Sequence, residues 1–326
     1  MSKLNIRTDL AVENKERFQD DNVEISGVKV FEKYDEKYNV NLTKVEIISL
    51  EGANIMGKPM GKYVTIEAAD ILEDIYDSSR KKQLGKVLAR ELYYMLPIRN
   101  KSEIMDVSVL VVGLGNKDVT PDSLGPYVVA NLDVNRHIFM MKSNHGKCRG
   151  ISAMIPGVMA QSGMESAEMV EGIVKQIKPD VVICIDALAA GSTKRLSRTI
   201  QLADTGINPG AGIGNHRKSI NKSILGVPVI AIGIPTVIHA ATIVSDTMDE
   251  LIKVLSQLPA MKLNGGLEVL QTFSNKEKHN LVKGLLEPNL GDMFVTPKDI
   301  DESVRYMADI VAYGINNIFA NHNLRN

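Results

Sequence analysis

Two aspartates stand where this chain could do chemistry. Asp122 closes the stretch Gly113-Leu114-Gly115-Asn116-Lys117-Asp118-Val119-Thr120-Pro121-Asp122, and Asp186 directly follows the apolar run Val181-Val182-Ile183-Cys184-Ile185. A charge at the end of an apolar run is costly unless it is solvated or paired, so Asp186 is either a helix cap or a site residue. Asp122 follows a proline and has a plain alternative of its own, in which its carboxylate caps the free N–H groups of the next helix. If the two turns are neighbours, the aspartates face each other across a cleft. Close like charges raise one pKa and leave the other carboxylate ionised. Such a pair can hydrolyse a peptide bond, one carboxylate taking a proton from water while the other acid protonates the leaving amine.

Other candidates carry more than one reading. His239, after Pro235-Thr236-Val237-Ile238, would complete a His/Asp/Asp set suited to zinc or nickel. A satisfied structural histidine is the plainer role. The segment 204–215 contains Gly206, Gly210 and Gly212. Glycines there could let a substrate backbone approach or let amide N–H groups meet an anion, and could equally form a tight irregular turn. Residues 113–118 begin like a dinucleotide fingerprint but place Asp118 where the last glycine is required. Nucleotide binding through residues 113–116 and 210–214 therefore stands as the non-catalytic alternative. Ser123 and Ser192 are not in a nucleophile elbow, and Cys148 and Cys184 form neither a zinc motif nor a redox pair.

The elements that must position these residues follow from pattern. Residues 107–113, 181–185 and 229–234 are branched apolar runs of the kind found in buried parallel strands, and each lies beside a stretch of helical spacing. Helices are expected over 69–96, 122–132, 162–177, 237–258 and 297–319, with a further strand over 199–203. The first 70 residues carry short β-like runs, at 45–50 and 63–68, and no long helix. The expected fold is α/β: a three-layer αβα domain with a mostly parallel central sheet and a β-rich N-terminal elaboration. In such sheets a site forms outside the carboxyl ends of the strands, which puts Asp122, Asp186 and His239 at three loop ends.

Composition narrows the class. Lys plus Arg is 38 against 39 Asp plus Glu, a balance that offers no field for a polyanion, so no direct nucleic-acid partner is expected. No apolar run approaches the length of a membrane span, and residues 1–10 do not read as a secretory signal. With two cysteines, Cys184 inside an apolar run, a reducing cytoplasm is the expected compartment.

The stretches VVGLGNKDVTPDSLGP, IDALAA, IQLADTGINPGAGIGN, LGVPVIAIGIPTVIHA and FVTPKDIDESVRYMADIVAYGIN together resemble the germination protease family. The resemblance implies an endopeptidase that degrades small acid-soluble spore proteins in the spore core and forms a homotetramer. It implies that Asp122 and Asp186 are the essential aspartates, with no metal or other cofactor. It also implies a zymogen that removes a propeptide, here residues 1–9, from a single peptidase domain, 10–326. The cut falls between Asp9 and Leu10, where Arg7-Thr8-Asp9-Leu10-Ala11-Val12-Glu13 has the acid, apolar, alanine order that the family cleaves. The hydrogenase maturation endopeptidases are distantly similar, and they suggest a metal-assisted variant using Asp122, Asp186 and His239.

Overall fold

The computed structural model describes residues 10–13, 26–73, 75–97, 107–142, 150–210, 217–256, 284 and 293–319. In chain order the elements are β1 (Val28–Asp35), β2 (Val40–Ile47), α1 (Leu50–Met56), β3 (Gly61–Glu67), α2 (Ser78–Met95), β4 (Ser108–Gly113), α3 (Leu124–Ala130), α4 (Arg136–Lys142), β5 (Gly150–Met154) and α5 (Met159–Ser162). There follow α6 (Ser166–Ile177), β6 (Val181–Ala190), β7 (Thr199–Ala203), α7 (Lys222–Leu225), β8 (Val229–His239), α8 (Ala240–Ser256), β9 (Phe294–Val295) and α9 (Ile300–Phe319).

Among the described residues nine strands form one sheet, in the order β1-β2-β3-β7-β8-β6-β4-β5 with β9 on β8. Its heart, β5-β4-β6-β8, is parallel, as the unbroken apolar runs require of strands covered on both faces. The β-rich N-terminal part is not a separate layer. It continues the same sheet through β1, β2 and β3, which pair antiparallel and join β8 through β7.

Alternation along the strands divides the core. Val109, Val111, Ile183, Ile185, Ile230 and Ile232 point to one face, where α2, α3 and α9 cover them with Leu88, Leu124 and Val311. Leu110, Val112, Val182, Cys184 and Val229 point to the other, beneath Ala167 and Val170 of α6 and Leu225 of α7. Helices on both faces make the αβα layering.

Several boundaries differ from expectation. The helix expected from residue 69 starts at Ser78, whose N-cap Asp77 accepts the Ser79 N–H. The helix expected from residue 122 is instead a 3-10 turn, Thr120–Asp122, followed by α3 from Leu124. Asp122 therefore does not cap α3, whose N-cap is Ser123 without a side-chain cap bond. Most important, β6 runs on to Ala190 and β8 to His239. The positions expected to be loops after residues 185 and 234 are strand, because the two strands go on pairing in parallel past Asp186. An apolar run ends where one face turns polar, and the backbone ladder has no need to stop there.

Candidate active site

Register places Asp186. It lies inside β6 opposite Gly233 of β8, and Gly233 is itself opposite Gln201 of β7. Residues paired across strands share a face, so Asp186 and Gln201 look out on the same side with no side chain between them. Asp186 as a residue is 6% exposed, and its Oδ1 accepts the Ala187 N–H at 3.0 Å.

Asp122 arrives from the next strand over. After β4 ends at Gly113 the chain turns back through Gly115, at φ +103°, where a Cβ would lie 2.0 Å from the Asp122 carbonyl oxygen. A Cβ on Gly125 would likewise lie 2.3 Å from the Leu114 carbonyl oxygen, so α3 can begin against the end of β4 only with glycine there. The Asn116 N–H donates to Asp122 Oδ2 at 2.7 Å, and Asn116 Oδ1 accepts from the Asp118 N–H and Gln161 Nε2, each at 3.0 Å. From the far side Thr236 Oγ1 donates to the Pro121 carbonyl at 2.6 Å. Thr236 is the extra residue of a bulge: Leu188 pairs with Pro235 and Ala189 with Val237, leaving Thr236 between them. Bulges of this kind re-aim a side chain beside a site.

The result is one cleft of about 740 Å³ lined by both Asp122 and Asp186. Burial pushes the Asp122 carboxyl above the usual carboxylate range, while the Asn116 N–H and the positive charge of Arg217 oppose the shift. Tyr63, also on the cleft, has its phenol pushed up to about 12, chiefly by burial, and donates its hydroxyl to the Pro59 carbonyl at 2.8 Å. Burial raises the Cys184 thiol too, with the charge of Asp186 adding to it, so Cys184 is no nucleophile at neutral pH. Two carboxylates on one cleft in different surroundings suit general acid–base work.

The remaining candidates divide. Gly206 and Gly210 line the cleft, while Gly212 and Asp9 lie outside the described residues. His239 is not among the residues that line it. Its Nδ1 accepts the Ala241 N–H at 3.2 Å and its ring meets Phe294 edge-on at 5.3 Å between centroids. Among the described residues no three His, Cys, Asp or Glu side chains are grouped so as to hold a metal ion. No described helix is long and apolar enough to cross a membrane. Leu10 is wholly buried.

Three further residues of the cleft, Arg217, Gln201 and Tyr63, are of no type or spacing that marks them as site residues in the sequence. Gln201 becomes visible only through register. Arg217 and Tyr63 come from segments with no motif.

A family model described as germination protease matches residues 6–263 and 256–324. Proteins named germination protease are 42% identical over 316 residues in Clostridium perfringens, covering 96% of this chain and 94% of the relative. The relative in Caldanaerobacter subterraneus is 43% identical over 315 residues, covering 96% and 94%. That in Bacillus subtilis is 40% identical over 344 residues, covering 95% and 92%. Among solved structures, a [NiFe] hydrogenase maturation protease from Thermococcus kodakarensis aligns at a TM-score of 0.25 and 18% identity, over 40% of this chain and 74% of that one.

Proposed function

Because the chain belongs to the germination protease family, we propose that it is the endopeptidase that initiates degradation of small acid-soluble spore proteins at germination, with Asp122 and Asp186 activating the water. The observation that carries the catalytic step is that these two side chains, one from the turn after β4 and one from within β6, line one cleft. Burial holds the Asp122 carboxyl above its ordinary range, which favours a shared labour in which one group is ionised and the other carries a proton. The ionised carboxylate takes a proton from water as the water attacks the peptide carbonyl, and the protonated one delivers its proton to the departing amine.

The enzyme is made as a zymogen that cuts itself between Asp9 and Leu10, leaving residues 10–326 as a single peptidase domain. It works as a homotetramer in the cytoplasm of the spore core. The family resemblance supports these points. The metal-assisted variant is disfavoured by His239, whose Nδ1 accepts the Ala241 N–H and whose ring packs perpendicular to Phe294. The nucleotide-binding alternative is disfavoured by the glycine turn after β4, whose Asn116 N–H meets Asp122.

The test is Asp186→Asn in the full chain, with folding checked by circular dichroism. The variant is expected to cleave no small acid-soluble spore protein and to yield no species beginning at Leu10 by intact mass. A folded variant that still cleaves would sink the aspartate mechanism.

A further inference from the structure

Residues 10–13, the four that follow the implied cut, are packed against the cleft. Leu10, Ala11, Val12 and Glu13 are 0%, 0%, 2% and 5% exposed, although they stand near the start of the chain. Leu10 and Val12 pack on Leu188, which lies two residues beyond Asp186 on the same face of β6. Ala11 fits among Tyr63, Ala203 and Ala231, and its N–H donates to Gln201 Oε1 at 2.5 Å. Leu188, Gln201, Tyr63, Ala203 and Ala231 all line the same cleft as the two aspartates.

The end of the segment is held by charge. Glu13 Oε2 accepts the Gly191 N–H at 2.8 Å, and Oε1 lies 3.8 Å from Arg195 Nη1. Arg195 is fixed in turn by Glu67, whose Oε1 takes its Nε at 2.6 Å. A guanidinium anchored through Nε presents its remaining N–H groups in a set direction, so the position is built to receive a carboxylate.

We propose that Arg195, together with the Gly191 N–H, is a specificity-determining pair that selects a glutamate at the fourth position after the scissile bond, and that residues 10–13 are the chain's own occupant of that site. The inference rests on the proposed peptidase activity and adds to it the residues that read the substrate. The first residue after the cut lies against Leu188, beside Asp186. The second is kept small by Tyr63 and Ala203, and its N–H is read by Gln201. The fourth meets Gly191 and Arg195. Residues 11–13 form one helical turn, and a substrate segment adopts the same turn on docking. A substrate must displace this occupant, so the strength of self-docking sets the apparent KM.

The test uses two peptides that differ only in glutamate or glutamine at the fourth position after the cut. A glutamine can accept from Gly191 but lacks the charge that Arg195 meets. The protein after self-cleavage is expected to favour the glutamate peptide in kcat/KM by roughly tenfold, the effect of replacing a buried carboxylate that faces Arg195 by a neutral amide. Arg195→Gln is expected to bring the two peptides to parity, and Arg195→Lys to restore part of the preference. Glu13→Gln is expected to lower KM for both peptides by weakening the occupant. A wild-type preference below about twofold overturns the proposal without recourse to any variant, as does a preference that survives Arg195→Gln. Cleavage of both peptides by Asp186→Asn would overturn the aspartate mechanism instead, and would leave the glutamate preference standing.

Discussion

Thr236 ties the turn that carries Asp122 to β8, and replacing it by valine isolates one hydrogen bond. The side chain is buried, and its hydroxyl donates to the Pro121 carbonyl, one residue before Asp122, at 2.6 Å. Valine preserves the branched shape and removes the donor, leaving the Pro121 carbonyl without its bond to β8. The carbonyl is half-buried, so leaving it unsatisfied costs about 1 kcal/mol, the low end for such a group. The cost should appear as a lower urea midpoint with an unchanged slope, measured at fixed protein concentration because any oligomerisation would couple to unfolding. The larger effect should be kinetic. Freed on that side, the Thr120–Asp122 turn can shift relative to β6, and a misplacement of about 1 Å in a reacting group lowers turnover by roughly 100-fold. KM should change little, since Thr236 does not hold residues 10–13. Thr236→Ser keeps the donor and should recover most of both losses. A valine variant within about 0.5 kcal/mol of wild type, the range of a neutral substitution, and with unchanged kcat would show that this bond does not position Asp122.

Asp122→Asn removes a carboxylate whose folded pKa lies above its ordinary value. A raised acid favours folding while protonated and loses that contribution as pH rises through the folded pKa, so by pH 7 the group works against the fold. The variant should therefore be inactive yet more resistant to urea than wild type at pH 7, with the difference vanishing below about pH 3.9; no gain at pH 7 would refute the assigned burial effect. Gly115→Ala must place a Cβ against the Asp122 carbonyl at a positive φ, so a stability loss of about 1–3 kcal/mol with loss of cleavage is expected, and an active, stable variant would show that the turn can relax. Dialysis against a chelator should leave cleavage unchanged, because the His239 Nδ1 is taken by the Ala241 N–H and its ring is packed on Phe294; activity lost on chelation and restored by zinc or nickel would revive the metal-assisted mechanism.

The buried half of this fold is readable from pattern because strands covered on both faces can tolerate almost nothing polar. Residues 107–113, 181–185 and 229–234 announce β4, β6 and β8 for that reason. The same rule hides where those strands end, since Asp186 interrupts the apolar run while the ladder to β8 continues to Ala190. Asp122 and Asp186 stand out by type and context. Gln201, Arg195 and Thr236 do not, because what matters about them is a residue distant in sequence that each meets in space: Gly233 for Gln201, Glu13 for Arg195, Pro121 for Thr236. Pairing between β7 and β8 links segments that no local spacing connects. The role of residues 10–13 is hidden for the same reason, as four ordinary residues near a terminus carry no periodicity to betray burial.

An open parallel sheet ordinarily forms its site beyond the carboxyl ends of its strands, and here one strand ends while its neighbours continue. β4 leaves the ladder at Gly113, opposite Ile185, whereas β6 and β8 run further together. The early exit frees space above the end of β4, and the Gly115 turn folds back into it, carrying Asp122 toward a wall formed by the longer strands. That wall can hold Asp186 within a hydrogen-bonded strand, where its position is fixed by register and not by loop geometry. The arrangement also explains the tension in Asp122. A turn tucked against the sheet buries its carboxylate, and burial opposes the charge. The Asn116 N–H and Arg217 offset this only in part, so the fold keeps close to the protein's interior a group it would be more stable without.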